Sequence, residues 1–496
     1  MRSTRIVEWL ESRKYFVLIL LTMIYLAGTM GRAGGRPFWY DEVITLIAAK
    51  SPDLATTWRA ALGTDANPPL PHLLTHLSIR WFGLNEMSAR LPAIAGFWVL
   101  CLCLFQFVER RKGVVYGLCA LLLPIMTGAY FYATEARAYG LELGFTGIAL
   151  AAWRSAAEGR HRALALPALA LSLACVMLCH YYGVLAYLPL AGAEAVRARR
   201  ERRLDWAVWL ALALGGMPLV WRAVTILGVV KGFSSHTWAP AYLRQGLEFW
   251  ESGLAPGAAF GALFVGLLAL VGARGVPLGP KGEDAVPKHE WVAGALFVAI
   301  PLAAVVGALL VTHMFTERYA LIGLVGFCLL TPLAAAEFFG RRGAAGIVLL
   351  GVLVWGAAIR MVDYQAKGNP FAGEPLLMEA LEQGSVVIAD GQLYMQMWHY
   401  APERLKARML FLADDASAVK YMGFETIDGG IRALIPWAPV QVREYAEFAT
   451  PGREFLVYQN SLRPGWVLSR VVTDGASVTI RRVETLRELV SVRLRD

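Results

Sequence analysis

Arg36-Pro-Phe-Trp-Tyr-Asp41-Glu42 is the stretch on which the fold of this chain turns. It follows the first long apolar run and sets two adjacent carboxylates and three aromatic rings before Val43-Ile-Thr-Leu-Ile-Ala-Ala-Lys50. The exposed N–H groups of a helix start favour negative charge, so Asp41 and Glu42 suit the opening turn of a helix there. Two readings are open at this point. The acids are caps and nothing more, or they are reactive groups displayed at the rim of a bilayer. The rest of the chain bears on the choice.

The chain has 496 residues, 57% of them hydrophobic and only 17% charged, with a mean hydropathy of +0.49. Soluble domains are about one quarter charged, so this composition points to a polytopic membrane protein. Residues 1–360 hold 32 basic against 21 acidic residues, whereas residues 361–496 hold 15 against 17. The basic excess thus belongs to the apolar part and follows the rule that cytoplasmic loops are positive; it is no sign of a nucleic-acid partner. The six cysteines all lie in apolar runs, with none after Cys328, and imply no disulfide framework. Cys175, Cys179 and His180 could face one way on a helix, but small core residues explain them better than a metal site. The basic start precedes the apolar run Tyr15–Met30 without a small-residue cleavage site, which reads as a retained signal-anchor.

Eleven spans are expected, near 15–31, 88–108, 114–131, 139–153, 163–180, 183–196, 206–228, 256–273, 291–312, 319–338 and 343–360. Positive charge falls in alternate loops: Arg110-Arg-Lys112, Arg154/Arg160/Arg162, Arg197 to Arg203, Arg274/Lys281/Lys288 and Arg341-Arg342. With the N-terminus inside, every one of these is cytoplasmic. Were Pro68–Phe82 a further span, each later basic loop would flip outside. That segment starts at a proline pair and carries His72, His76 and Arg80, so it reads as an amphipathic helix on the outer surface, with a similar short one over Asp53–Leu62. Asp41 and Glu42 then sit in a long, structured outer loop, 32–87, and loops of that length are usually functional.

The apolar part, 1–360, is expected to be the catalytic domain, and 361–496 a small α/β domain outside the membrane. Ser385–Ala389, ending at Asp390-Gly391, and Arg453–Gln459 read as strands, Trp466–Val472 as a third, and 374–382 and 440–448 as helical. Asp414-Asp415 reads as a solvated turn. Trp398-His399-Tyr400 and Trp437 fit core aromatics better than contacts to a glycan.

On the outer face the topology gathers Asp41, Glu42, His72, Glu135, Arg137, His180, Tyr181, Tyr182, Arg318 and Tyr319. Each flanks an apolar span, where ionisable groups are costly to hold and are functional candidates. Singly, each also fits a structural role: a polar helix face for His72 and His76, snorkelling for Glu135 and Arg137, an interfacial anchor for Arg318-Tyr319. The clustering is the informative part. Guanidinium forks suit phosphate. A carboxylate suits a general base toward a hydroxyl. Trp39 and Tyr40 suit a sugar face or the membrane interface. The set fits sugar transfer from a lipid-phosphate donor.

These residues resemble the GT-C-type membrane glycosyltransferases, near the protein O-mannosyltransferase and lipid A aminoarabinose transferase branches. The resemblance rests on Trp39-Tyr40-Asp41-Glu42, Asn67-Pro-Pro-Leu-Pro-His72, Ser88-Ala-Arg90-Leu91-Pro92, Thr134-Glu135-Ala-Arg137-Ala-Tyr139, His180-Tyr181-Tyr182 and Glu317-Arg318-Tyr319, in order, over about 5–360. It implies a helical membrane protein acting at the extracytoplasmic face of a bacterial inner membrane. The donor is a polyprenyl-phosphate sugar, and the acceptor a glycan, lipid or protein. It implies Asp41 as the acidic residue of the first outer loop, with Glu42 and Glu135 as further catalytic acids, and Arg137 and Arg318 near the donor phosphate. A divalent metal held by Asp41, Glu42 or Glu135 is compatible with it but not required. No lysine stands beside Pro68-Pro69, unlike lipid A transferases, which argues against that branch, and the inserted modules of the protein mannosyltransferases are absent. Rival classes are a transporter or flippase, which would place ionisable groups at the midplane of two similar halves, a non-catalytic assembly factor, and a polymerase or ligase using a diphosphate-linked lipid.

Overall fold

The computed structural model describes residues 2–65, 67–224, 228, 236–273, 285–340 and 344–496. Seven helices among these are long and apolar enough to cross a membrane: Lys14–Gly34, Glu86–Lys112, Arg162–Cys179, Trp206–Val224, Gln245–Leu270, Lys288–Thr312 and Ala344–Val362. The chain is an integral membrane protein. The remaining four of the eleven expected spans form shorter or more polar helices: Val114–Leu122, Tyr139–Ala157, Tyr187–Glu201 and Gly323–Phe339. Arg274, Lys281, Arg341 and Arg342 lie outside the described residues.

By contacts the chain forms two compact units, one of residues 1–33, 90–228 and 241–364, the other of 34–89, 229–240 and 365–496. In the helical unit, Arg111, Lys112, Arg154, Arg162 and Arg197 of the expected basic loops lie at one end. Arg111 donates to Glu290 at 3.1 Å and to Glu158 at 2.6 Å. Arg154 bonds Glu158 at 3.1 Å. Arg197 bonds Glu194 and Asp205 at 2.7 and 3.0 Å, and Arg162 also reaches Asp205. Lys14 and Lys112 join the same end through Glu109 and Glu337, at 2.9 and 2.8 Å. Acids tucked among these arginines neutralise what would otherwise be repelling helix ends.

Helices Glu86–Lys112 and Tyr139–Ala157 cross at glycines. A methyl on Gly140 would come within 2.5 Å of the carbonyl oxygen of Ala93, and one on Gly96 within 2.5 Å of that of Gly140. Small residues four apart let membrane helices pack backbone to backbone.

The second unit holds six strands: β1 Val386–Ile388, β2 Met409–Ala413, β3 Val442–Glu444, β4 Glu454–Asn460, β5 Ser477–Glu484 and β6 Arg487–Arg493. They form one sheet of order β3-β2-β1-β4-β6-β5. The first four are parallel, and the β5–β6 hairpin adds antiparallel to β4. Val387, Leu412, Val457 and Val490 form its core with Trp466, Tyr445 and Phe448. Trp466–Thr473 is a helix, where a strand is expected from sequence. Its buried Trp466, Val467 and Val471 make a helical face against the sheet. The expected helix over 440–448 is instead β3 and a single turn, Tyr445–Phe448. Asp414 is a helix cap, its carboxylate accepting from Ala416 and Ser417 N–H, rather than a solvated turn.

Candidate functional site

The sheet unit contains the stretch 36–49. Trp39 is extended and opens the helix Tyr40–Ala49. Glu42, three residues on, is fully buried and turns back so that its carboxylate accepts the Trp39 N–H at 3.3 Å. It supplies half of a capping box, and the helix dipole favours its charge. Asp41 keeps a half-buried side chain, while its carbonyl accepts from Thr45 Oγ1 at 3.1 Å. Of the two acids, Asp41 is the more accessible.

The segment is tied to the sheet domain by the helix Gly391–Tyr400. The Tyr400 hydroxyl accepts the Phe38 N–H at 2.7 Å and donates to Glu86 at 2.7 Å. One turn earlier, Gln396 Nε2 donates to the Phe38 carbonyl at 2.8 Å. Phe38 and His399 pack edge to face. Burial, with Lys50 and Lys406 nearby, pulls the His399 imidazole down to about 4, so it is neutral at ordinary pH. Tyr400 is therefore a tether for the acidic loop. Gln396 and Tyr400, one turn apart on one helix face, escape a reading of the sequence because their partners lie more than three hundred residues away.

The Leu70–Phe82 helix follows the two prolines as expected, with Pro69 as its cap. His76 Nδ1 lies 2.9 Å from the Ala49 carbonyl and 3.2 Å from Thr57 Oγ1, pinning three short helices together. His72 is buried, with Nε2 3.5 Å from the Asp65 carboxylate, within ion-pair range. Trp437 packs on Ala48, Ala60 and Ala61 as a core residue.

The helical unit gathers its own set at the end opposite the basic network. His180, 4% exposed, ends helix Arg162–Cys179 in an extended conformation, and its Nδ1 accepts the Tyr182 N–H at 3.2 Å. Tyr319 lies against both: its ring centroid is 5.0 Å from that of His180 and 4.8 Å from the stacked ring of Tyr182. Tyr139 reaches His180 at 5.6 Å and Tyr132 at 5.1 Å. The Tyr182 hydroxyl bonds Thr312 and Met314, each at 3.1 Å, and Tyr181 meets Arg222 at 3.4 Å. Burial raises the Tyr132 hydroxyl to about 12; the Glu135 carboxylate pushes the same way, Arg318 opposes it, and Glu317 adds to it. Glu135, Arg318 and Glu317 are thus within electrostatic reach of one phenol. Glu317 is fixed by Ser252 Oγ at 2.6 Å. Arg137 leads into the Tyr139–Ala157 helix two residues after the buried Glu135. Tyr132 and Thr312 belong to this set without a sequence motif that marks them, and Glu317 joins them from the Glu317-Arg318-Tyr319 stretch.

His180, Tyr181, Tyr182, Glu135, Arg318 and Tyr319 therefore come together in the helical unit. Asp41, Glu42, Trp39, Tyr40 and His72 belong to the sheet unit. Among the described residues, no three His, Cys, Asp or Glu side chains converge as metal ligands.

A scan against protein-family models gives no match, and neither does a search of curated proteins. Solved structures do match. ArnT from Cupriavidus metallidurans bound to undecaprenyl phosphate is 13% identical, with a TM-score of 0.61, covering 97% of this chain and 98% of that one. Its apo state gives 14% identity and 0.60 over the same shares. An oligosaccharyltransferase from Archaeoglobus fulgidus matches more loosely, with 11% identity and a TM-score of 0.43 over 90% of this chain and 68% of that one. Over almost its whole length, the chain has the fold of ArnT.

Proposed function

We propose that this protein moves a sugar from a polyprenyl-phosphate donor to an acceptor hydroxyl at the extracytoplasmic face of the inner membrane. The observation that carries the reading is the ArnT fold across 97% of the chain, in a form bound to undecaprenyl phosphate. The gathered Glu135, Arg318 and tyrosine cluster supports it.

In this reading Asp41 orients or deprotonates the acceptor, which attacks the anomeric carbon opposite the phosphate. The transition state is oxocarbenium-like, as in other glycosyl transfers. An ordinary aspartate, pKa about 3.9, is a weak base toward a hydroxyl. Arg137 and Arg318 take up the charge of the departing lipid phosphate, an electrostatic contribution that usually dominates. Tyr319, Tyr182, Tyr181 and His180 form a wall beside that phosphate, while Trp39 and Tyr40 face the sugar. Glu135 orients the donor and His72 the acceptor. The lipid tail remains among the apolar helices.

The test is reconstitution in lipid with a panel of polyprenyl-phosphate sugars and their diphosphate-linked counterparts, asking which donor loses its sugar. One monophosphate donor should be consumed. Consumption of diphosphate donors alone would make the protein a polymerase or ligase. Asp41→Asn should lower turnover by about two orders of magnitude or more, the usual range for a lost general base. Near-normal turnover with normal insertion would remove Asp41 from the chemistry.

A further inference from the structure

The sheet domain has a crevice that the transferase reading does not use. From β1 the chain steps to β2 and β3 on one side, then returns across β1 to β4 on the other. In parallel sheets of this kind, ligands lie beyond the carboxyl ends of the strands, at the point where the strand order reverses. A cavity of about 310 Å³ occupies that position, between β1 and β4. Asp390 and Gln392 line it from the start of the helix after β1, Phe424 and Asp428 from the segment after β2, and Arg463 and Trp466 from the loop after β4 and the helix it leads into. The β4 loop closes over the β1 loop only because residue 465 is glycine. Any Cβ there would run into the Ala389 carbonyl oxygen.

Asp428 is the unusual member. It is 3% exposed, and its Oδ2 accepts the Trp466 indole N–H and the Asp414 N–H, both at 3.0 Å. Among the described residues none hydrogen-bonds its Oδ1. On a cavity wall, the open oxygen of a buried carboxylate is a position for a ligand donor.

We propose that this crevice binds a neutral sugar ring. Phe424 offers an apolar face, and Asp390 and Asp428 offer acceptors for ring hydroxyls. The lining residues carry two acids and one cation, Arg463, and Arg487 acts on Asp390 from outside the lining, so the charges nearly balance and favour a neutral ligand. The size is at the lower end of small-molecule pockets, which run from about 300 Å³. This site is separate from the proposed transfer chemistry and stands without it.

The experiment is saturation-transfer NMR on the full chain in lipid nanodiscs. The probes are methyl α-mannoside, methyl β-glucoside and methyl β-galactoside, with inorganic phosphate and ethanolamine beside them. At least one glycoside should receive saturation from the wild-type protein. Its affinity should fall about tenfold in Asp428→Asn, the worth of one hydrogen bond to a charged group, and comparably in Phe424→Ala. Asp428→Asn should keep a thermal midpoint at or above that of wild type, which separates lost binding from lost folding. Silence from all three glycosides would overturn the proposal. So would equal affinity in both variants, or binding of phosphate or ethanolamine in their place.

Discussion

At Asp428 the fold holds a carboxyl against its own stability. Burial raises it from the usual aspartate range to about 6. A group raised in the folded state favours folding while protonated and loses that contribution as pH rises through its folded value. At about pH 7.5 Asp428 is ionised, and its buried charge destabilises the domain. Asp428→Asn keeps an oxygen to accept from Trp466 and Asp414 without the charge. It should gain at most about 3 kcal/mol at that pH, since each tenfold change in proton affinity is worth about 1.36 kcal/mol. The gain should vanish as pH falls from about 6 toward 3.8. His399 has the opposite sign: its imidazole is lowered to about 4, so its contribution is present above 6.5 and lost as pH falls through that window. Thermal midpoints of wild type and variant across this pH range cancel the His399 effect and leave that of Asp428. Tyr400 makes a second prediction at this scale. Tyr400→Phe removes one hydroxyl and leaves both the Phe38 N–H and Glu86 without it. A loss of about 1–3 kcal/mol is expected when the hydroxyl of these two hydrogen bonds is removed, together with faster amide exchange over 36–42.

Among the elements, the close crossing of helices Glu86–Lys112 and Tyr139–Ala157 fixes where the 134–138 loop emerges. Gly140 and Gly144 face the backbone of Ala93 and Gly96, so side chains there must push the helices apart. Overpacking of a tight core typically costs about 1–3 kcal/mol, and Gly144→Val should lower the thermal midpoint in detergent accordingly. An unchanged midpoint would mean that the two helices do not meet there. The helix Gly391–Tyr400 has a double role: Asp390 caps its start at the crevice, and Gln396 and Tyr400 hold the acidic loop farther along. One element thus carries a pocket wall at one end and a loop tether at the other.

For the whole molecule, the contacts place loop 34–89 with residues 365–496. Removing 365–496 should therefore do more than delete an appendage. It strips Tyr400, Gln396 and Trp437 from that loop, and limited proteolysis should then cut within 34–89 while the membrane helices stay protected. A truncated chain whose loop resists protease would contradict this. The sequence by itself determined the membrane class and the presence of helices over Val43–Lys50 and Pro68–Phe82, whose first residues the structure moves to Tyr40 and Leu70. Those features rest on local signals: apolar runs long enough to span, prolines and acids at first turns, arginines at the ends. Tertiary structure alone decided that Trp466–Thr473 winds as a helix, since a short apolar run fits either period. It also decided the sheet order, the tether at Tyr400 and the crevice at Asp428. Those depend on pairings between residues tens to hundreds of positions apart, which no local pattern encodes.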